Sequence, residues 1–241
     1  MGLVAQRNAI TSWERESAVV WDSGDPMPVS DNGAVRFRLL YSGDQLVAGG
    51  NASAKHVIRK KFHPQLRVLW ETHPLLRDMA IRFGAVSLSE AGRFEQQPDI
   101  EKAAIRCYLE EVGTRYARGN FHFVPLIDAD VPMRVSIDIL FLRRDQQPLI
   151  KQGGDIDNRL KTLFDALRVP DTTDGLGGGP DEGEDPFFVL IQDDAMISEV
   201  RVSTDNLLLL PDKPVDAKDA FLVIDVDLRP TKRTTKSWVF D

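Results

Sequence analysis

Six short stretches of this chain are rich in apolar and β-branched residues as β-strands are, and apolar and polar positions alternate in two of them, 34–41 and 133–142. The clearest stretch is 133–142, in which every second residue is apolar: Val135, Ile137, Ile139 and Phe141. We predict strands over residues 34–41, 121–126, 133–142, 187–191, 196–202 and 221–228.

Apolar residues recur at helical spacing in three other segments. The segment from Asp157 to 167 carries one apolar stripe, formed by Leu160, Leu163, Phe164 and Leu167. Residues 56–70 form the second segment, in which Pro64 predicts a kink or a break. Asp99, which follows a proline, opens the third, expected to run to about Arg118. Residues 85–97 show no such stripe and are expected to be a connection.

This order of elements predicts one α+β domain with a mixed β-sheet and about three helices, rather than a doubly wound parallel sheet. Turn-forming residues dominate 1–33, which we expect to be an N-terminal arm. The domain is expected to span 34–228 and a C-terminal tail 229–241. Residues 169–186 are rich in Gly, Asp and Pro and too long for a simple connector, so a mobile acidic loop is expected there.

Composition and charge limit the classes of function and the cellular compartment that fit this chain. The chain has 241 residues and a formal net charge of −7, which argues against wholesale nucleic-acid binding because duplex affinity comes largely from neutralised phosphates. A single cysteine, Cys107, excludes an internal disulfide framework and fits a reducing compartment. There is no apolar run of membrane-spanning length and no signal-peptide pattern at the N-terminus. We therefore expect a cytoplasmic protein without a membrane segment.

The charge is unevenly distributed along the chain. Residues 171–185 hold six acids and no base, whereas 55–67 hold five bases and no acid. A basic helix can follow a phosphate backbone, so four cations are candidate DNA contacts: Lys55, Arg59, Lys60 and Lys61. The alternative is that this charge run is a solvated helix face. His56 and His63 in the same segment are weak evidence for zinc, because no third ligand accompanies them.

Carboxylates cluster where a turn leads into the helix that starts near Asp157. Asp155 precedes Asp157 by two residues, so an extended chain would direct both side chains to one side. With the later pair Asp193-Asp194, these acids could hold Mg²⁺ or Mn²⁺, which bind oxygen ligands. Local pattern alone favours a helix cap at Asp157 and a turn at Asp193-Asp194.

Lys161 lies one helical turn after Asp157 and has two interpretations. Its ammonium could orient or neutralise a phosphate oxygen at a metal site. It could instead form an ion pair with Asp157 or Asp165 on one helix face, which local pattern alone favours.

Three short motifs in this part of the chain occur in a fixed order. They are Gly154-Asp155-Ile156-Asp157-Asn158 with Lys161, then Asp165-Ala166-Leu167, then Gln192-Asp193-Asp194-Ala195 before a strand. Together they resemble the RusA family of Holliday-junction resolvases, whose pattern is Asp-x-Asp-Asn-x-x-Lys, Asp-Ala-Leu, and Asp-Asp-Ala/Ser before a strand. The motifs cover about residues 133–203, and a similar layout of elements extends the resemblance to 34–228.

The resemblance implies an α+β homodimer that cuts four-way DNA junctions by Mg²⁺-dependent phosphodiester hydrolysis. It places the metal-binding carboxylates on Asp155, Asp157 and Asp194 and the essential lysine on Lys161, so these four are the expected catalytic residues. We add Asn158, next to them, to the expected DNA contacts.

Features of this chain outside the family's pattern leave a second function open. The acidic loop is longer than family members usually carry, and the small resolvases lack the N-terminal arm. The loop's charge and position suggest that it gates the site or mimics DNA. The alternative function is a non-catalytic RusA-like module that binds DNA or a protein. The negative net charge favours this alternative, whereas the presence of every acid and the lysine of the motif argues against it.

Overall fold

A computed structural model describes residues 35–43, 46, 49–93, 99–131, 133–143, 156–208 and 220–230. These residues form an α+β fold with four α-helices and two mixed β-sheets. The helices are α1 (Ala52–Thr72), α2 (Pro74–Glu90), α3 (Ile100–Arg115) and α4 (Ile156–Leu167). The strands are β1 (Val35–Gly43), β2 (Ala117–Arg118), β3 (Phe121–Ile127), β4 (Met133–Arg143), β5 (Phe187–Ile191), β6 (Ile197–Asn206) and β7 (Ala220–Pro230).

The predictions of α+β class and of a mixed sheet are confirmed, as are the six strands and the helix of the motif. The predicted arm over 1–33 and most of the predicted tail over 229–241 lie outside the described residues. The strand β7 runs to Pro230, two residues beyond the predicted end of the domain. Within the described ranges, no helix has the length and hydropathy needed to cross a membrane.

The four-stranded sheet has the order β1-β7-β4-β6, in which β4 and β6 are parallel and the other neighbours antiparallel. Its inner face carries the alternating apolar residues of β1, β4 and β7, which are buried except for the partly buried Phe37. The outer face carries charged pairs between strands, such as Arg38 Nε to Asp225 Oδ1 at 2.7 Å. Because successive side chains of a strand point to opposite faces, the alternation of apolar and polar residues places one set in the core and the other in solvent.

The three-stranded sheet has the order β2-β3-β5, with β5 parallel to β3. β5 is buried along its whole length, and so is β3 apart from one residue. Ring centroids of Phe123 and Phe187 lie 5.3 Å apart, and α1 packs over this aromatic layer through His56 and His63. The end of β5, which leads to Asp193-Asp194, is thus fixed by the core.

The helix α1 is continuous through Pro64, so the predicted break is wrong. Pro64 lies on the exposed side of α1, where the carbonyl that loses its helical donor can be hydrated. Next to it, the carboxamide of Gln65 bonds both the N–H and the carbonyl of Leu40 at 2.8 Å. This side chain ties α1 to β1, the edge strand of the four-stranded sheet.

The second helix, α2, was missed by the sequence pattern, and the predicted connection over 85–97 is wrong as far as Glu90. Gly84, Val86 and Ser87 have low helix propensity, but tertiary packing holds them in the helix. A Cβ at Gly84 would lie 1.8 Å from the Ala104 carbonyl oxygen, so α2 and α3 cross in close contact there.

The third helix, α3, begins as predicted, because the Asp99 side chain accepts a hydrogen bond from the Lys102 N–H at 3.1 Å. It ends at Arg115, three residues before the predicted end. Residues 117 and 118 instead pair with β3, and Gly119 makes the turn between the strands with φ +60°.

Three buried histidines are part of this core: His56, His63 and His73. The ring of His56 is 5% exposed and lies between Phe121 and Phe187. Burial, reinforced by the charge of Arg59, lowers the pKa of His56 to about 4. Burial also lowers the pKa of His63 and of His73. All three are therefore held in the neutral form.

We predict that the free energy of unfolding falls as pH decreases from about 6.5 to about 4. In this window the three histidines bind protons in the unfolded chain but stay neutral in the folded chain, so protonation favours unfolding. The loss from His56 alone is on the order of 3 kcal/mol. Above pH 6.5 both states are neutral and this contribution to the pH dependence disappears.

Urea denaturation at a series of pH values would check this, with His56→Phe as the comparison. The variant keeps an aromatic ring against Phe121 and Phe187 and removes the titration. Its stability should depend less steeply on pH between 4 and 6.5. Equal slopes for the two proteins would show that His56 does not titrate on unfolding.

Candidate functional site

Asp157 lies in the first turn of α4, because the helix begins at Ile156. Asp157 is therefore the second residue of the helix, and the prediction that it is the N-cap is wrong. Its Oδ1 accepts a hydrogen bond from the N–H of Asn158 at 2.8 Å, and both residues are exposed. Being helical, Asp157 no longer has the extended geometry that would align it with Asp155, which lies outside the described residues. A carboxylate here is stabilised by the positive end of the helix dipole.

Lys161 is exposed one turn further along α4. In the described part of the chain, no carboxylate lies within ion-pair distance of its ammonium. Asp165, one of its two predicted partners, is instead paired with Lys55 at 2.7 Å and with Arg168 at 3.2 Å. Within these ranges the ion-pair interpretation of Lys161 is therefore wrong, and its charge is available to a ligand.

The pair Asp193-Asp194 follows β5 and opens a short 3-10 helix over Asp194–Met196. The Asp193 carboxylate accepts the N–H of Ala195 at 2.9 Å, so the turn interpretation holds for Asp193. The side chain of Asp194 is exposed and receives no hydrogen bond from the described residues. The two neighbours thus have different roles, and Asp194 keeps a free carboxylate.

Gln192 holds this turn in place. Its backbone N–H bonds the Ile127 carbonyl at 2.9 Å, and its Oε1 accepts from Tyr116 Oη at 3.1 Å and from the Ala129 N–H at 2.9 Å. Burial, with the neighbouring charge of Asp128, raises the pKa of Tyr116 to about 12, so its hydroxyl stays a donor.

Asp128, which is only 4% exposed, completes the hydrogen-bond network that supports this turn. Oδ2 lies 3.3 Å from Tyr116 Oη and shares its single proton with Gln192 Oε1, while Oδ1 accepts the N–H groups of Asp130 and Val131. Asp128 is not among the site residues predicted from the sequence. The available signal was an Asx-turn residue directly after an apolar strand.

The end of β5 lies beside the C-terminal end of α4. Arg168 pairs with Ile191, and the N–H of Val169 bonds the Ile191 carbonyl at 3.1 Å. Asp157 is at the other end of α4, about 16 Å from Arg168 along the helix. Among the described residues, no three His, Cys, Asp or Glu side chains are grouped closely enough to hold a metal ion. The described part alone does not assemble the predicted site of three carboxylates.

The donor set still fits the predicted metal in its chemistry. Asp157 and Asp194 present exposed carboxylates, the hard oxygen ligands that Mg²⁺ and Mn²⁺ prefer. The third predicted ligand, Asp155, is outside the described residues. A site shared by Asp155, Asp157 and Asp194 therefore stays a prediction.

The predicted DNA-contacting cations on α1 are mostly engaged within the protein. Lys55 pairs with Asp165, and Lys60 pairs with Asp181 at 2.7 Å and with Glu184 at 2.9 Å. Lys61 is exposed and has no ion-pair partner among the described residues. The acidic loop thus neutralises part of the basic helix, a pairing across about 120 residues of sequence.

Arg59 has a structural position, since it is only 3% exposed. Its Nη2 donates to the Asp165 carbonyl at 2.7 Å and its Nε to the Arg168 carbonyl at 3.3 Å. It therefore satisfies carbonyls at the end of α4 that have no helical donor. Burial, with the nearby charge of Arg168, lowers the pKa of Arg59 to about 10. In this conformation Arg59 has no access to DNA.

No family model, no curated protein and no solved structure matches this chain. The resemblance to the RusA family therefore depends on the motifs and the order of the elements.

We predict that Arg59→Met lowers the free energy of unfolding by about 2–4 kcal/mol, because the carbonyls at the end of α4 lose a charged donor. Lys61→Met is the matched control on the same helix and should change stability by less than about 0.5 kcal/mol. Chemical denaturation of both variants checks this. Equal stabilities would contradict the structural role of Arg59.

Proposed function

We propose that this chain is a RusA-like, metal-dependent endonuclease that hydrolyses phosphodiester bonds in branched DNA such as four-way junctions. One observation carries the proposal: the motif side chains of Asp157, Lys161 and Asp194 are exposed, and none of them forms an ion pair with another described residue. Neighbouring charged groups such as Asp165 and Lys55 are instead paired with each other. Charged groups that the fold does not use are available for chemistry.

In the proposed mechanism, Asp155, Asp157 and Asp194 hold Mg²⁺ or Mn²⁺ with their carboxylates. The bound ion would lower the pKa of a water molecule and neutralise charge on the phosphate in the transition state. Lys161 positions or neutralises a phosphate oxygen from the same helix face as Asp157. The positive end of the α4 dipole favours anions, which supports a phosphate near Asn158.

The remaining parts of the proposal concern assembly and location. Two symmetric nicks in a junction need two sites related by a two-fold axis, so the working form is proposed to be a homodimer. Lys60 and Lys61 on α1 are the proposed contacts to the DNA backbone. The single Cys107 supports the reducing cytoplasm as the proposed location.

The second candidate is a non-catalytic RusA-like module that binds DNA or a protein. Two observations favour it: the net charge of −7 and the absence of a group of three metal-ligating side chains among the described residues. A module that only binds needs no metal, so metal-dependent cleavage separates the two candidates.

We predict that Asp157→Asn lowers the rate of cleavage of a synthetic four-way junction in Mg²⁺ by at least about 10²-fold while the fold and much of the DNA binding remain. Asp205→Asn is a matched control, because Asp205 is also exposed and its Oδ1 also accepts the next residue's N–H, at 2.7 Å. It should cut at the wild-type rate. Gel assays on junction, flap and duplex DNA measure both.

Two results would reject the nuclease proposal. One is that wild-type protein leaves all three DNA forms uncut in both Mg²⁺ and Mn²⁺. The other is that Asp157→Asn and Asp205→Asn have the same cleavage rate.

A further inference from the structure

The acidic loop lies along α1 and reaches three of its residues on successive turns. Lys60 Nζ contacts the carboxylates of Asp181 and Glu184 at 2.7 and 2.9 Å. Three residues later, His63 Nε2 lies 3.1 Å from the Gly183 carbonyl oxygen, and Arg67 Nη1 donates to that oxygen at 3.3 Å. The loop thus covers a line of groups along one side of α1.

These contacts are charge-complementary. Burial opposes the charge on Lys60, but the carboxylates of Asp181 and Glu184 outweigh it and raise the pKa of Lys60. The N–H of Phe188 donates to His63 Nδ1 at 3.0 Å, so Nε2 carries the proton that points at Gly183. The α1 face therefore offers the donors, two of them the cations Lys60 and Arg67, and the loop supplies the acceptors.

The two ends of the loop are held differently. At its beginning, Leu176 is buried, and a Cβ at Gly175 would lie 2.4 Å from the backbone of α1 at Ala52 and Ser53. At residues 181–184 the contacts to α1 are polar, and the Asp181 side chain is 78% exposed. The exposed pair with Asp181 contributes little to stability, whereas the Glu184 side chain is only 14% exposed. When this part leaves α1, the Glu184 carboxylate loses its attraction to Lys60 but regains hydration, and the two effects offset each other. The second part can therefore leave α1 while the first part stays packed.

We propose that residues 181–184 are an intramolecular competitor for the DNA backbone. Their carboxylates occupy Lys60 and the Gly183 carbonyl occupies Arg67, beside the exposed Lys61, and phosphates bind this α1 face when this part of the loop moves away. The inference rests on the proposed function for the identity of the ligand. It explains how a chain of net charge −7 can contain a surface for DNA.

The test compares two double variants of the full chain with the same net charge. Asp181→Asn/Glu184→Gln removes the two carboxylates that contact Lys60. Asp174→Asn/Glu182→Gln removes two exposed loop acids that make no ion pair within the described residues. Binding of a labelled four-way junction is measured by fluorescence anisotropy in EDTA at several salt concentrations.

The contact pair is expected to bind the junction about fivefold more tightly than wild type, which corresponds to about 1 kcal/mol. Its affinity should fall more steeply as the salt concentration rises, because one more lysine can bind a phosphate and release that phosphate's counterion. Adding Lys60→Gln to the contact pair should remove the gain. The control pair should bind within about twofold of wild type, because long-range charge effects are screened.

Equal tightening by the two pairs would overturn the inference, because net charge alone would then explain it. An unchanged affinity of the contact pair would also overturn it. If wild-type protein cuts no DNA while the contact pair still binds more tightly, the nuclease proposal fails and this inference stands. If the wild type cuts and the contact pair binds and cuts like it, this inference alone fails.

Discussion

The fold around the candidate site depends on one buried guanidinium. Arg59 extends from α1 to the carbonyls of Asp165 and Arg168 at the end of α4. On the same side of α1, Lys55 pairs with the Asp165 carboxylate, so two cations fix α4 against α1. Because Arg168 also pairs with the end of β5, this junction sets where α4 and the Asp193-Asp194 turn lie. The arrangement gives α4 a firm C-terminal end and leaves its N-terminal acid and lysine in solvent.

Sequence periodicity predicted most elements because each is specified by neighbouring residues. The alternation at Val135, Ile137 and Ile139 and the helical stripe at Leu163 and Leu167 belong to the side chains buried in the structure. The helix α2 was missed because Gly84 and Val86 are poor helix formers, held by contact with α3. No local pattern contains that contact, since Ala104 is 20 residues away in sequence.

The charged groups of the candidate site were only partly predictable for the same reason. Sequence alone showed a basic segment and an acidic segment but not that Lys60 pairs with Asp181 and Glu184. It also counted Arg59 as a surface cation, although its partners are carbonyls more than 100 residues away. In the motif, the structure sharpened the prediction: Asp193 is the turn residue, whereas Asp194 and Lys161 keep their charges available.

The central claim is that Asp157 and Asp194 hold one divalent metal with Asp155. A crystal structure of the protein grown in millimolar Mn²⁺, with anomalous data collected at the manganese edge, tests it most directly. One anomalous peak per chain is expected, within about 2.0–2.3 Å of carboxylate oxygens from both Asp157 and Asp194. Ordered carboxylates at these two positions with no Mn²⁺ between them would contradict it.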